Sequence, residues 1–89
     1  MGAGVDAVKA EIARAFGSVP LVEYHDPHTL STVLGFASEQ RNLLVRVSIE
    51  FDQDFESGQL AVDLSQLAPT LLSSKSGKAL VRTDGILSA

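Results

Sequence analysis

Between Asn42 and Asp52 the chain alternates. Leu43, Val45, Val47, Ile49 and Phe51 hold every second position, and Leu44, Arg46, Ser48, Glu50 and Asp52, all polar but one, stand between them. Successive side chains of an extended strand point to opposite faces, so the pattern describes one dry and one largely wetted side. A 3.6-residue period would scatter the same five apolar residues around a cylinder. The stretch is therefore read as a half-buried antiparallel strand and as the spine of a sheet.

The rest of the chain is read around that strand. Val5, Val8, Ile12, Ala15 and Phe16 recur at helical spacing, with Asp6, Lys9, Glu11 and Arg14 off the stripe, and Gly17 follows where helices commonly end. An amphipathic helix over residues 4–16 is predicted. Leu21–His25 is a short strand stopped by Asp26-Pro27, and Thr29–Ala37 is a second strand, apolar or small on both faces. After Asp52 the acidic run Gln53-Asp54-Phe55-Glu56-Ser57-Gly58 reads as a loop. Gln59–Ser65, with Leu60, Val62 and Leu64 alternating, reads as a strand that forms a hairpin with the spine. Leu64, Leu67 and Leu71 are spaced for one or two helical turns. Ala79–Thr83 is a last strand before an Asp84-Gly85 turn. The expected fold is α+β, a single domain over residues 1–89. An N-terminal helix packs on a four- to five-stranded, mainly antiparallel sheet, with a short second helix before the last strand.

Composition limits the function classes. Seven Lys and Arg are scattered among eleven Asp and Glu, a formal charge of −4, so a nucleic-acid backbone finds no basic cluster. No apolar run approaches the roughly 20 residues that span a bilayer, and Asp6, Lys9, Glu11 and Arg14 occupy the place of a signal-peptide core. Cysteine is absent, which removes disulfides and thiolate metal sites and fits a reducing compartment. The expectation is a cytoplasmic protein that binds neither nucleic acid nor membrane.

Three stretches carry candidate chemistry. Both histidines fall in His25-Asp26-Pro27-His28, and two imidazoles with a carboxylate are ligand types for zinc, nickel or copper. Against that, Asp and Pro suffice to make an ordinary turn. Asp52, Asp54, Glu56 and Asp63 have the spacing of calcium ligands, but Ser57 stands where that loop needs glycine. Ser73-Ser74-Lys75-Ser76-Gly77-Lys78 resembles the end of a phosphate-binding loop, yet it lacks the leading glycine and the hydroxyl after the lysine. No catalytic triad, nucleophile elbow or dinucleotide fingerprint is present, and no cofactor is expected.

What remains is surface. Val33, Gly35 and Ala37, with Leu44, Ala61 and Val81, form a small apolar row on a face otherwise polar, and Phe55 stands alone in an acidic stretch. The leading expectation is a small, acidic, non-catalytic protein-interaction module of adaptor, chaperone or inhibitor type. It would act through a sheet face or edge and pair as a homodimer, with Phe55, Val33, Leu44 and Ala61 as partner-binding residues. The alternative is a small metal-dependent enzyme or ligand binder using His25, Asp26 and His28. A third reading is an acidic mimic of nucleic acid built on Glu50, Asp52, Asp54 and Glu56.

Overall fold

The computed structural model describes residues 3–38, 41–57 and 62–88. Helix α1 (Ala3–Phe16) leads into β1 (Val22–Asp26), β2 (Ser31–Ser38) and β3 (Arg41–Ser48). Helix α2 (Ile49–Ser57), a 3-10 turn (Leu64–Gln66) and α3 (Leu67–Ser73) follow, and β4 (Lys78–Arg82) and β5 (Gly85–Ser88) complete the fold. The strands lie in sequence order in one five-stranded sheet, antiparallel except for the parallel pair β3–β4. The fold is α+β, with the N-terminal helix, the mainly antiparallel sheet and the short helix before the last strands that the sequence predicts.

The core lies on one side of the sheet. Val5, Val8 and Ile12 of α1 pack with Leu34 and Phe36 of β2, Leu43, Val45 and Val47 of β3, and Ala79 and Val81 of β4. Phe51 of α2 and Leu67 and Leu71 of α3 join the same cluster. The register explains why these strand residues meet. Leu34, Val45 and Ala79 form one cross-strand row and Thr32, Val47 and Val81 the next, so alternate residues of three strands present one continuous apolar surface. Val81 therefore belongs to the core, not to the second face on which the sequence placed it.

The spine strand is shorter than its alternation predicts. It ends at Ser48, and Ile49 begins α2. The Ser48 hydroxyl accepts a hydrogen bond from Phe51 N at 3.1 Å, an N-cap interaction that satisfies one of the free donors of the first turn. Glu50 and Asp52 then lie in that turn, where carboxylates favour the positive end of the helix. Phe51 is still fully buried, but from a helix, and its ring packs 5.8 Å from that of Phe55, one turn on. From Gln53 to Ser57 the acidic stretch expected as a loop is thus helical, and Gly58 lies outside the described residues. The hairpin expected from Gln59–Ser65 does not form: Gln59, Leu60 and Ala61 lie outside the described residues, Leu64–Gln66 is a 3-10 turn, and β3 pairs with β4 instead.

Two close approaches lock the layers together. The Asp52 carboxylate accepts from Val5 N at 3.0 Å, so α2 caps the start of α1. Gly4 lies at this crossing, where an added Cβ would come within 2.8 Å of Asp52 Cα and 3.1 Å of the Phe51 ring. At the far end of the crossover, Gly77 has φ +70°, and its carbonyl accepts from Leu44 N at 2.9 Å to open the parallel pairing. Arg41 reaches the last carbonyls of α3, its Nη2 2.7 Å from Ser74 O.

Helical Gly→Ala changes ordinarily gain up to about 1 kcal/mol. At Gly4 the contact with α2 should reverse the sign, and urea denaturation of Gly4→Ala should show a loss of about 1–3 kcal/mol.

Candidate functional site: the open face of the sheet

Pairing partners share a face, so the register also defines the opposite side of the sheet. Val22, Gly35, Leu44 and Lys78 form one row across β1, β2, β3 and β4. Tyr24, Val33, Arg46, Leu80 and Leu87 form the next, across all five strands. No described helix packs here, because the buried residues of α1, α2 and α3 all belong to the core on the other side. Val22 is 67% exposed, Tyr24 52% and Leu87 49%. Val22 and Tyr24 lie together on edge strand β1 and Leu87 on the opposite edge strand β5, and bare apolar side chains on one face are what a binding surface presents.

A groove of about 590 Å³ runs over the first row, between Pro20 and Val22 on one wall and Leu44 and Lys78 on the other. Gly35 forms its floor. A Cβ there would meet nothing nearer than two backbone oxygens at 4.0 Å, so the trough exists because this residue has no side chain. A second, more polar groove of about 470 Å³ lies at the other end of the face, between Thr29, Ser31, Arg46, Ser48, Glu50 and Arg82.

Arg46 braces that polar end. Its Nη1 lies 2.8 Å from Asp26 Oδ2, 2.8 Å from Thr29 Oγ1 and 2.9 Å from Ser31 Oγ, which ties the β1–β2 turn to β3. Asp26 Oδ1 also accepts from His28 N at 3.0 Å. The Arg46 contact first, then the His28 backbone bond, hold the Asp26 carboxyl at about 2, well below the usual carboxylate range. Inside the turn Leu30 takes φ +52° and is 54% exposed, an uncommon conformation for a bulky residue.

The residues singled out from sequence separate. His25 and Asp26 are consecutive in β1 and face opposite sides of the sheet. His25 Nδ1 lies 3.3 Å from Thr32 Oγ1, on the helix side. Asp26 is committed to Arg46, and His28 is exposed in the turn. Among the described residues no three His, Cys, Asp or Glu side chains converge as a metal site. Asp52 caps α1 and Asp63 caps the 3-10 turn through Ser65, whose hydroxyl and backbone N–H hold the Asp63 carboxyl below its ordinary value. Of the partner-binding set, Leu44 is half-buried beside the groove. Val33 lies fully buried between Tyr24 and Arg46 on the same face. Phe55 is 37% exposed on α2, in the helical layer, and Ala61 lies outside the described residues. The structure thus brings Val33 and Leu44 together and sets Phe55 apart.

Val22, Tyr24, Lys78 and Leu87 were missed. The signal for Lys78 was present: Lys78, Leu80 and Arg82 alternate with Ala79 and Val81, and that two-residue period assigns them to the face opposite the core. The chain matches no known protein family, no curated protein and no solved structure. No described helix is long and apolar enough to cross a membrane.

Asp26 supplies a pH dependence with a definite sign. Its folded-state pKa is depressed, so its contribution to stability is present above the unfolded value near 3.9 and is lost as pH falls toward about 2. Carboxyl NMR titration should show the Asp26 midpoint rising toward the ordinary range in Arg46→Gln. The acid limb of the stability curve should be shallower in Asp26→Asn than in the parent.

Proposed function

We propose that this chain is a small acidic, non-catalytic interaction module of adaptor, chaperone or inhibitor type, working in the cytoplasm on another protein through the open face of its sheet. One observation carries the reading: every described helix lies on one side, and the other side bears the exposed Val22, Tyr24 and Leu87 and an apolar groove walled by Val22 and Leu44. A chain of this size has little core to spare, and apolar area left bare on one face gains free energy when a second chain covers it. The groups available on that face also fit binding better than catalysis. Asp26 is neutralised by Arg46 and Asp84 pairs with Arg82, and neither histidine lines the apolar groove.

Strand β1 adds an edge to the face. Val22–Glu23–Tyr24–His25 is exposed throughout, and within β1 there is no proline or lysine of the kind that blunts free edges. Two-fold pairing of β1 with β1 of a second copy would join two sheets and leave both open faces available. Sedimentation equilibrium should then show a dimer, and a monomer at all concentrations would remove this part of the proposal.

The face itself is tested by Val22→Asp and Leu87→Asp. Both positions are exposed, so stability should stay within about 0.5 kcal/mol of the parent. Polypeptides captured from a native lysate by the immobilised parent should be lost with the double variant. Identical capture by both proteins would overturn the reading.

A further inference from the structure

We infer that the turn between β1 and β2 is a further interaction surface, a braced, protruding tip that seats Leu30 in an apolar pocket of a folded partner protein. The tip lies apart from the apolar groove and does not depend on the open face being a binding surface.

Residues 27–30 are all exposed, and so are residues 22–25 of the strand that leads into them. A lone exposed leucine is ordinary on a protein surface. Leu30 differs in its backbone. It is 54% exposed, it belongs neither to the core nor to the residues packed against it, and among the described non-glycine residues it alone has a positive φ, +52°. The turn requires a left-handed residue at this place but does not require leucine, since glycine or asparagine adopts that conformation more easily. Leu30 thus combines backbone strain with a bare apolar side chain, and the isolated fold gains from neither. A partner that buries the side chain gives both a use.

The brace comes from outside the turn. Arg46 on β3 binds Asp26, Thr29 and Ser31, on both sides of Leu30. The Thr29 and Ser31 hydroxyls lie 2.6 Å apart, and Asp26 accepts from His28 N. Ser31 is buried, so the anchor next to Leu30 is fixed in the sheet. The Asp26 carboxyl stays ionised down to about 2, which keeps the Arg46 contact through the neutral range. A segment already ordered in this way loses little further freedom on binding. The polar side chains beside Leu30 are committed to one another and to Arg46, so leucine is the group presented. A protruding apolar side chain fits a concave apolar pocket, which a folded protein supplies and an extended segment does not.

A photoreactive leucine analogue at position 30 of the full chain tests the tip in native lysate, with the same analogue at position 72 as the control. Leu72 is equally bare, 53% exposed on α3. One protein should cross-link from position 30 and not from position 72, and excess unlabelled parent should compete it away where Leu30→Asn does not. Once purified, that protein should bind Leu30→Asn at least tenfold more weakly than the parent. It should bind Arg46→Gln about threefold more weakly, because the leucine remains while its brace is gone, and it should bind Val22→Asp as well as the parent. Leu30→Asn should unfold at a urea concentration no lower than the parent's, since asparagine tolerates the left-handed backbone. A lower midpoint would mean that Leu30 serves the fold and would overturn the inference. Absence of a cross-link, equal cross-linking from both positions, or unchanged affinity for Leu30→Asn would overturn it too. Unchanged affinity for Arg46→Gln would overturn the brace. Dependence on Val22 without dependence on Leu30 would return the partner to the open face.

Discussion

The parallel pairing of β4 with β3 governs the rest of the structure. Parallel neighbours begin at the same end of the sheet, so the chain must return across one face between them, and that crossover needs room for helices. Here it carries α2, the 3-10 turn and α3. Phe51, Leu67 and Leu71 of the crossover share a single cluster with Val5, Val8 and Ile12 of α1. Two helical contributions from distant parts of the chain thus cover the same side. The hydrogen bond from Leu44 N to Gly77 O is where the returning chain engages β3, and only a residue free of a side chain fits against the Asn42 carbonyl there.

One-sided packing leaves a sheet with unequal faces. Its helix side is dry, and the opposite side keeps a mixed surface in which Val33 is buried by its strand neighbours while Val22, Tyr24 and Leu87 stay bare. Acidic residues collect on α1 and α2, where some support helix ends, as Asp52 does at the start of α1. The open face sets Arg46, Lys78 and Arg82 among Asp26, Glu50 and Asp84, and the bond network from Arg46 to Asp26, Thr29 and Ser31 ties the β1–β2 turn to its border. A fold that places its helices on one side by topology alone has left a surface with an apolar groove and a polar one on the other.

Much of this fold is legible in the order of residues, and the misreadings have local causes. Helix α1 and the strands around Val22–Asp26, Ser31–Ser38 and Lys78–Arg82 follow from period and punctuation. Ile49 and Phe51 continue the alternation of β3 but belong to a helix, because the Ser48 cap and the acids after it start one. A fully buried position reads the same from a strand or from the first turn of a helix, so apolar spacing did not mark the change. The candidate site was less legible. Leu44 and Val33 were placed on the second face from their alternation, whereas Val22, Tyr24, Lys78 and Leu87 join them only through cross-strand register. The histidines looked like a site because they are close in sequence, and adjacent strand residues point apart.

By itself the sequence determined the class of structure: an amphipathic helix, a sheet with one dry side, and an acidic, cysteine-free chain. Those properties are written in periodicity and composition, which act over a few residues at a time. Tertiary structure decided that β4 lies parallel to β3, that all helices share one face, and that Gly35 comes to rest between Val22 and Leu44 with Lys78 beyond. These depend on which distant segments meet, and the free energy that selects the meeting comes from the assembled core and belongs to no single stretch of the chain.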